Sequence, residues 1–257
     1  VLAIKGSFRQ IVLMYAIAQM AAILIGAVTI SQIPVQSEAS QPSYAGTFLL
    51  YILIATAVFL ILARFFPRGF RWLLAALEIF FLWGTSTVMY SLFLPETAAT
   101  IAGIVTAVLR AIFWRSSIAQ NVSTLIIAAV STAVVGLSVA PAVAVLLLAI
   151  MATYDFISVF VTKHMVTLAK ALGARERGSG EIHMLGTGDI VIPGIVAVSL
   201  LRVGILPAVL SALGALIGLI TTIWLARRWK RILPALPSIG VVQLALSAVG
   251  LCITAFL

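Results

Sequence analysis

Nine apolar stretches, most of them about as long as a bilayer core requires, follow one another through the 257 residues with little between them. They run from Ile11 to Ile33, Ala45 to Phe65, Trp72 to Phe93, Ala98 to Phe113, Val122 to Val139, Pro141 to Val161, Ile182 to Leu201, Ile205 to Leu225 and Leu233 to Leu257. At about 20 residues per spanning helix they consume about 180 residues. The short turns that remain are punctuated by Pro34, Pro42, Pro67, Pro95, Pro141 and Pro207, as expected where helices stop and reverse. A water-soluble fold is excluded: 9% of the residues are charged and 63% hydrophobic, against about 25% and about 45–50% in soluble domains. The expected fold is an all-α integral membrane protein of nine transmembrane helices. No small-residue cleavage site follows the first stretch, so it is read as a retained helix.

The basic residues orient the chain. With the N-terminus in the cytoplasm, Lys5, Arg9, Arg64, Arg68, Arg71, Arg110, Arg115, Lys163, Lys170, Arg175, Arg177, Arg227, Arg228, Lys230 and Arg231 all fall inside, 15 of the 16 lysines and arginines. Arg202 alone falls outside, where the loops carry Glu38 and Glu96. The positive-inside rule then predicts N-in and C-out, which requires an odd number of spans. Topology and anionic lipid account for the net charge of +9, and no nucleic-acid partner is called for. The single cysteine, Cys252, cannot pair within the chain, and no Cys/His cluster is present to hold a metal, so neither metal nor cofactor is expected. The chain divides into an N-terminal six-helix part (1–162), a cytoplasmic loop (163–181) and a C-terminal three-helix part (182–257), within one structural domain.

Three of the seven acidic residues lie inside apolar stretches: Glu78, Asp155 and Asp189. An ionisable side chain at that depth costs about 2.5–3.5 kcal/mol on insertion scales and is a functional candidate by default. Helix rise places Asp155 about 12 Å and Asp189 about 10 Å from the cytoplasmic edge. They are level, on consecutive antiparallel spans, and helices about 8–10 Å apart let such side chains meet. Two carboxyls sharing a site do not both ionise cheaply, so one keeps a proton while the other is charged. That asymmetry suits an aspartic protease, in which the carboxylate activates water and the carboxylic acid polarises the scissile carbonyl. It equally suits a secondary transporter with proton or cation sites, or a membrane scaffold with an interhelical hydrogen bond.

The surrounding residues separate these readings. Tyr154-Asp155, then Gly186-Thr187-Gly188-Asp189, then Pro234-Ala235-Leu236 stand in this order on the sixth, seventh and ninth of nine spans. The combination resembles the presenilin and signal peptide peptidase family of GxGD intramembrane aspartyl proteases. Without a large hydrophilic loop, the chain resembles the compact prokaryotic, archaeal members most. The resemblance implies a presenilin-like fold in the cell membrane, peptide bonds within transmembrane helices of protein substrates as the target, Asp155 and Asp189 as the catalytic pair, and no cofactor. It further implies that Tyr154, Gly186, Thr187, Gly188, Pro234, Ala235 and Leu236 bind substrate or shape the site. For the N-in orientation it implies substrates that span N-out and C-in. Oligomeric state and any accessory subunit are left open.

Other features have plainer readings. Pro193 cannot donate a hydrogen bond to the Asp189 carbonyl, so the seventh helix is expected to loosen there. Glu78, with no carboxylate partner in view, is expected to form a buried hydrogen bond. His164 and His183 read as solvated or interfacial, and Arg227-Arg228-Trp229-Lys230-Arg231 as a lipid anchor. Neither a His-Glu-x-x-His zinc helix nor a phosphate-binding glycine loop is present. An activated serine in the membrane is also lacking.

Overall fold

The computed structural model describes residues 3–36, 38–160, 183–229 and 233–256. Among them are nine α-helices: α1 (Phe8–Thr29), α2 (Pro42–Phe65), α3 (Pro67–Tyr90), α4 (Glu96–Ile112), α5 (Ser117–Ser138), α6 (Pro141–Phe160), α7 (Gly188–Ser199), α8 (Ile205–Trp229) and α9 (Ala235–Phe256). Pro42, Pro67 and Pro141 each open a helix, where the missing N–H would have no helical acceptor anyway. Seven of the nine are long and apolar enough to cross a membrane. The others are α4, with 17 residues, and α7, with 12.

The seventh stretch departs from the expected continuous helix between Ile182 and Leu201. His183–Gly186 is a strand, β2, paired antiparallel with β1 (Ala3–Gly6), Ala3 standing opposite Gly186 and Gly6 opposite His183. Helix begins only at Gly188 and passes into a 3-10 turn at Leu200–Arg202. Glycines at 186 and 188 are poor helix formers, and β1 supplies the hydrogen bonds that a helix would have made internally. Extended backbone at membrane depth is tolerated only against protein or water, and here the partner is the chain's own N-terminal segment. The depth arithmetic based on helix rise therefore does not apply to the residues leading into Asp189. Ile182, Val161, Leu257 and the loop 163–181 lie outside the described residues.

The short α7 is the centre of the bundle. From Ile192 to Leu200 every residue is buried, as expected for a helix that is apolar all round. It packs against α1, α5, α6, α8 and α9. A Cβ on Gly194 would stand 2.5 Å from Thr132 Cγ2 on α5, so that crossing depends on the bare backbone. At the periphery, Leu50, Tyr51, Ile54, Val58 and Ile61 of α2 are exposed apolar residues suited to lipid.

The two charged residues that fit the topology least well are both tied down. Arg202 gives Nη2–H to the carbonyls of Ile33 and Leu137 and Nε–H to Leu137, binding the turn after α7 to the far ends of α1 and α5. Glu78 of α3 is buried and accepts from Arg110 Nε of α4 at 2.7 Å and from the Ser123 hydroxyl of α5 at 3.1 Å. Its expected buried hydrogen bond is thus an ion pair joining three helices.

Candidate active site

Asp155 lies in α6, half-buried, with its carboxylate turned towards the start of α9. The Leu236 amide donates to its Oδ2 at 3.2 Å, and the Ala235 amide faces the same group. The donors are free because Ala235 and Leu236 are the first two residues of α9, where backbone N–H groups have no helical acceptor. Pro237 removes the N–H of the third position, so the open donors of this helix end are those aimed at Asp155. The positive end of the α9 dipole adds to the same field.

Asp189 is the second residue of α7. The Thr187 carbonyl accepts from the amides of Ile190 and Val191 and starts the helix. The Asp189 carboxyl folds back over Gly186, whose backbone hydrogen-bonds to it. A Cβ added at Gly186 would stand 3.3 Å from Asp189 Oδ2, so a side chain there would crowd the carboxyl. Asp155 and Asp189 are near enough to interact electrostatically. Three backbone features therefore converge on the carboxyls: the end of β2, the start of α7 and the start of α9.

Beyond Asp189, Pro193 lies inside α7, which runs on as helix from Gly188 to Ser199 where loosening was expected, and two buried glutamines bond to carbonyls of this segment. Gln19 of α1 donates through Nε2 to the Ile190 carbonyl at 2.9 Å. Gln243 of α9 donates to the Pro193 carbonyl at 2.7 Å and to Ser211 Oγ of α8 at 2.9 Å. Sequence reasoning missed both, although an amide within an otherwise apolar span is a signal in itself. It missed Tyr15 too, which is fully buried on α1 with Ile190 in the same apolar cluster.

An apolar cavity of about 380 Å³ lies between Ala152, Thr153 and Phe156 of α6 and Pro237, Gly240 and Val241 of α9. Phe156 and Val241 are exposed at its mouth, on the side that lipid would occupy. Tyr154 is half-buried and packs on the cluster containing Leu148, Met151 and Leu236. Gly188 is exposed at the start of α7, whereas Pro234 is buried just before α9. The structure brings together Asp155, Asp189, Gly186, Ala235 and Leu236, with Thr187 setting the helix start between Gly186 and Asp189. Asn121 is buried in α5. In the basic run at the end of α8, Arg228 lies over the Trp224 ring at 5.7 Å, and Lys230 and Arg231 lie outside the described residues, as does His164.

The chain matches the protein family described as signal-peptide peptidase, presenilin aspartyl protease over residues 12–174. That stretch includes Asp155 and ends before Asp189. No curated protein matches the chain. Two solved structures described as a presenilin family intramembrane aspartate protease are similar along nearly the whole length. The one in space group C222 is 25% identical, with 95% of this chain and 96% of that chain covered and a TM-score of 0.69. The one in space group P2 is 24% identical, with 96% and 98% covered and a TM-score of 0.75, and adds support for the fold.

Proposed function

The chain belongs to the signal-peptide peptidase, presenilin aspartyl protease family, and from that premise we propose that Asp155 and Asp189 are its catalytic pair. As a family member it is a multi-pass membrane protein and an aspartic endopeptidase that cleaves peptide bonds within transmembrane helices. The observation that carries the assignment of the pair is the convergence of β2, α7 and α9 on two interacting carboxyls within a helical membrane fold.

Hydrolysis then needs one carboxylate and one carboxylic acid. The carboxylate takes a proton from a water whose oxygen attacks the scissile carbonyl carbon. The carboxylic acid gives its proton to the carbonyl oxygen, and a neutral gem-diol forms with no covalent bond to the enzyme. One hydroxyl of the gem-diol then returns a proton to the ionised aspartate as the C–N bond breaks. The other aspartate protonates the leaving nitrogen, so the pair ends in its starting state with one proton.

A substrate helix must unwind before water can reach a carbonyl, because helical carbonyls are hydrogen-bonded and covered. Within the proposal, Gly186, Thr187 and Gly188 leave backbone room beside Asp189, while the Ala235 and Leu236 amides hold Asp155 and Pro234, which has no N–H, shapes the chain leading into them. Tyr154 supports the same wall of the site. The cavity between α6 and α9 suits an apolar substrate side chain next to the unwound bond. Parts 1–162 and 182–257 act as one domain because the site takes one aspartate from each. The test is purified protein incubated with a membrane-spanning peptide: the wild type cleaves, and Asp155→Ala and Asp189→Ala do not. Cleavage by either variant would defeat the assignment.

A further inference from the structure

Tyr15 has no exposed surface and packs among Ile11, Ala18, Ile190 and Leu219. Its hydroxyl meets no partner at hydrogen-bond distance among the described residues, and neither does the Gln19 Oε1 that faces it one helical turn on. A buried phenol ordinarily has a partner, and an unpaired buried hydroxyl is unfavourable. The catalytic steps above give it no role.

Two contacts fix where this hydroxyl lies. At one end of the α1–α7 contact Ala3 stands opposite Gly186, and at the other Gln19 reaches the Ile190 carbonyl. Tyr15 lies one helical turn before Gln19 on the same face of α1. Its ring is thereby set beside the turn of α7 that begins at Gly188 and carries Asp189. The Asp189 carboxyl bends back towards Gly186, and its charge is near enough to act on the phenol. Asp189 thus has strand backbone on one side, Asp155 across the gap and Tyr15 along the wall formed by α1. Held by the Gly186 backbone, a carboxyl retains rotation about its Cβ–Cγ bond, and a further donor from a rigid, fully packed ring removes it.

We propose that Tyr15 is a positioning residue for Asp189: in the substrate-bound site the hydroxyl donates to one carboxyl oxygen and turns the other towards Asp155 and the attacking water. This rests on the reading of Asp155 and Asp189 as the catalytic pair. The phenol keeps its proton throughout, so the balance of the reaction is unchanged, and its contribution is orientation.

The experiment is Tyr15→Phe in the purified full chain, which keeps the ring and deletes the hydroxyl, assayed on a membrane-spanning peptide beside Asp189→Asn. The expected result is a fall in kcat of about 10- to 100-fold, with KM within about twofold and the thermal midpoint unchanged or slightly raised. Unchanged kcat overturns the proposal, and so does a loss of kcat accompanied by a lower thermal midpoint, because that places the effect in packing. An inactive Asp189→Asn beside a fully active Tyr15→Phe rejects this inference alone. Activity in Asp189→Asn rejects the catalytic pair and this inference with it.

Discussion

Gly218→Ala should slow proteolysis far more than a single methyl group on a remote helix suggests. Gly218 lies on α8, where an added Cβ would stand 2.5 Å from the Cα of Ile239 and 3.0 Å from the Ser238 carbonyl oxygen, both on α9. These are backbone atoms, so no rotamer change relieves the clash. Ordinary contact begins at 3.4 Å, and the two helices must separate locally by about 0.9 Å to reach it. Ile239 is three residues beyond Leu236, whose amide holds Asp155 Oδ2 at 3.2 Å. A displacement of that size at the start of α9 removes the bond or skews it. Overpacking of this kind costs about 1–3 kcal/mol of stability, while a misplacement of about 1 Å at a reacting group costs about 10²-fold in rate. The assay compares kcat on a membrane-spanning peptide and the thermal midpoint for Gly218→Ala and Gly84→Ala. Gly84 has nothing within 4 Å of an added Cβ and should be neutral on both counts. Wild-type turnover in Gly218→Ala would refute the coupling between the α8–α9 contact and Asp155.

Three further outcomes are expected. Pro193→Ala restores an N–H four residues past Asp189 and stiffens the turn whose carbonyls Gln19 and Gln243 bond; kcat should fall while thermal stability holds or rises, and unchanged values for both would show the proline to be incidental. Glu78→Gln leaves the buried Arg110 guanidinium without its counter-charge and should cost about 3–5 kcal/mol, read as a lower thermal midpoint. In a Cys252→Ser background, a cysteine at Glu96 should react with an impermeant thiol reagent from outside and one at Ser116 only from inside, with substrates inserted N-out and C-in cleaved in preference; labelling on the opposite sides would reverse the orientation.

The membrane class and the two aspartates were legible because each depends on local information. Twenty apolar residues in succession have few other fates, and the residues flanking Asp155 and Asp189 carry their chemistry within a few positions. The partners that hold the site were not legible in the same way. Gln19 meets the Ile190 carbonyl across 171 residues of sequence and Gln243 meets Pro193 across 50. Hydropathy gives a helix its length without saying which neighbour each face meets. The pairing of β1 with β2 was hidden for another reason: two four-residue segments far apart in the chain each make a strand only because the other is present. Glu78 was visible as an anomaly, but Arg110 already had an adequate reading as a topology signal, which concealed the ion pair between them. Asp155 lies within a continuous helix as sequence reasoning expected, whereas the backbone leading into Asp189 is extended where helix was expected.

The central claim is that Asp155 and Asp189 act as one unit. Its most direct test is the turnover of Asp155→Asn, Asp189→Asn and the double variant on the same membrane-spanning peptide. Each amide keeps the shape of the carboxyl but cannot exchange its proton, so removing one member should remove the function of both. The account predicts that each single variant is as inactive as the double. Substantial turnover in either single variant, or losses that combine additively in the double, would contradict it.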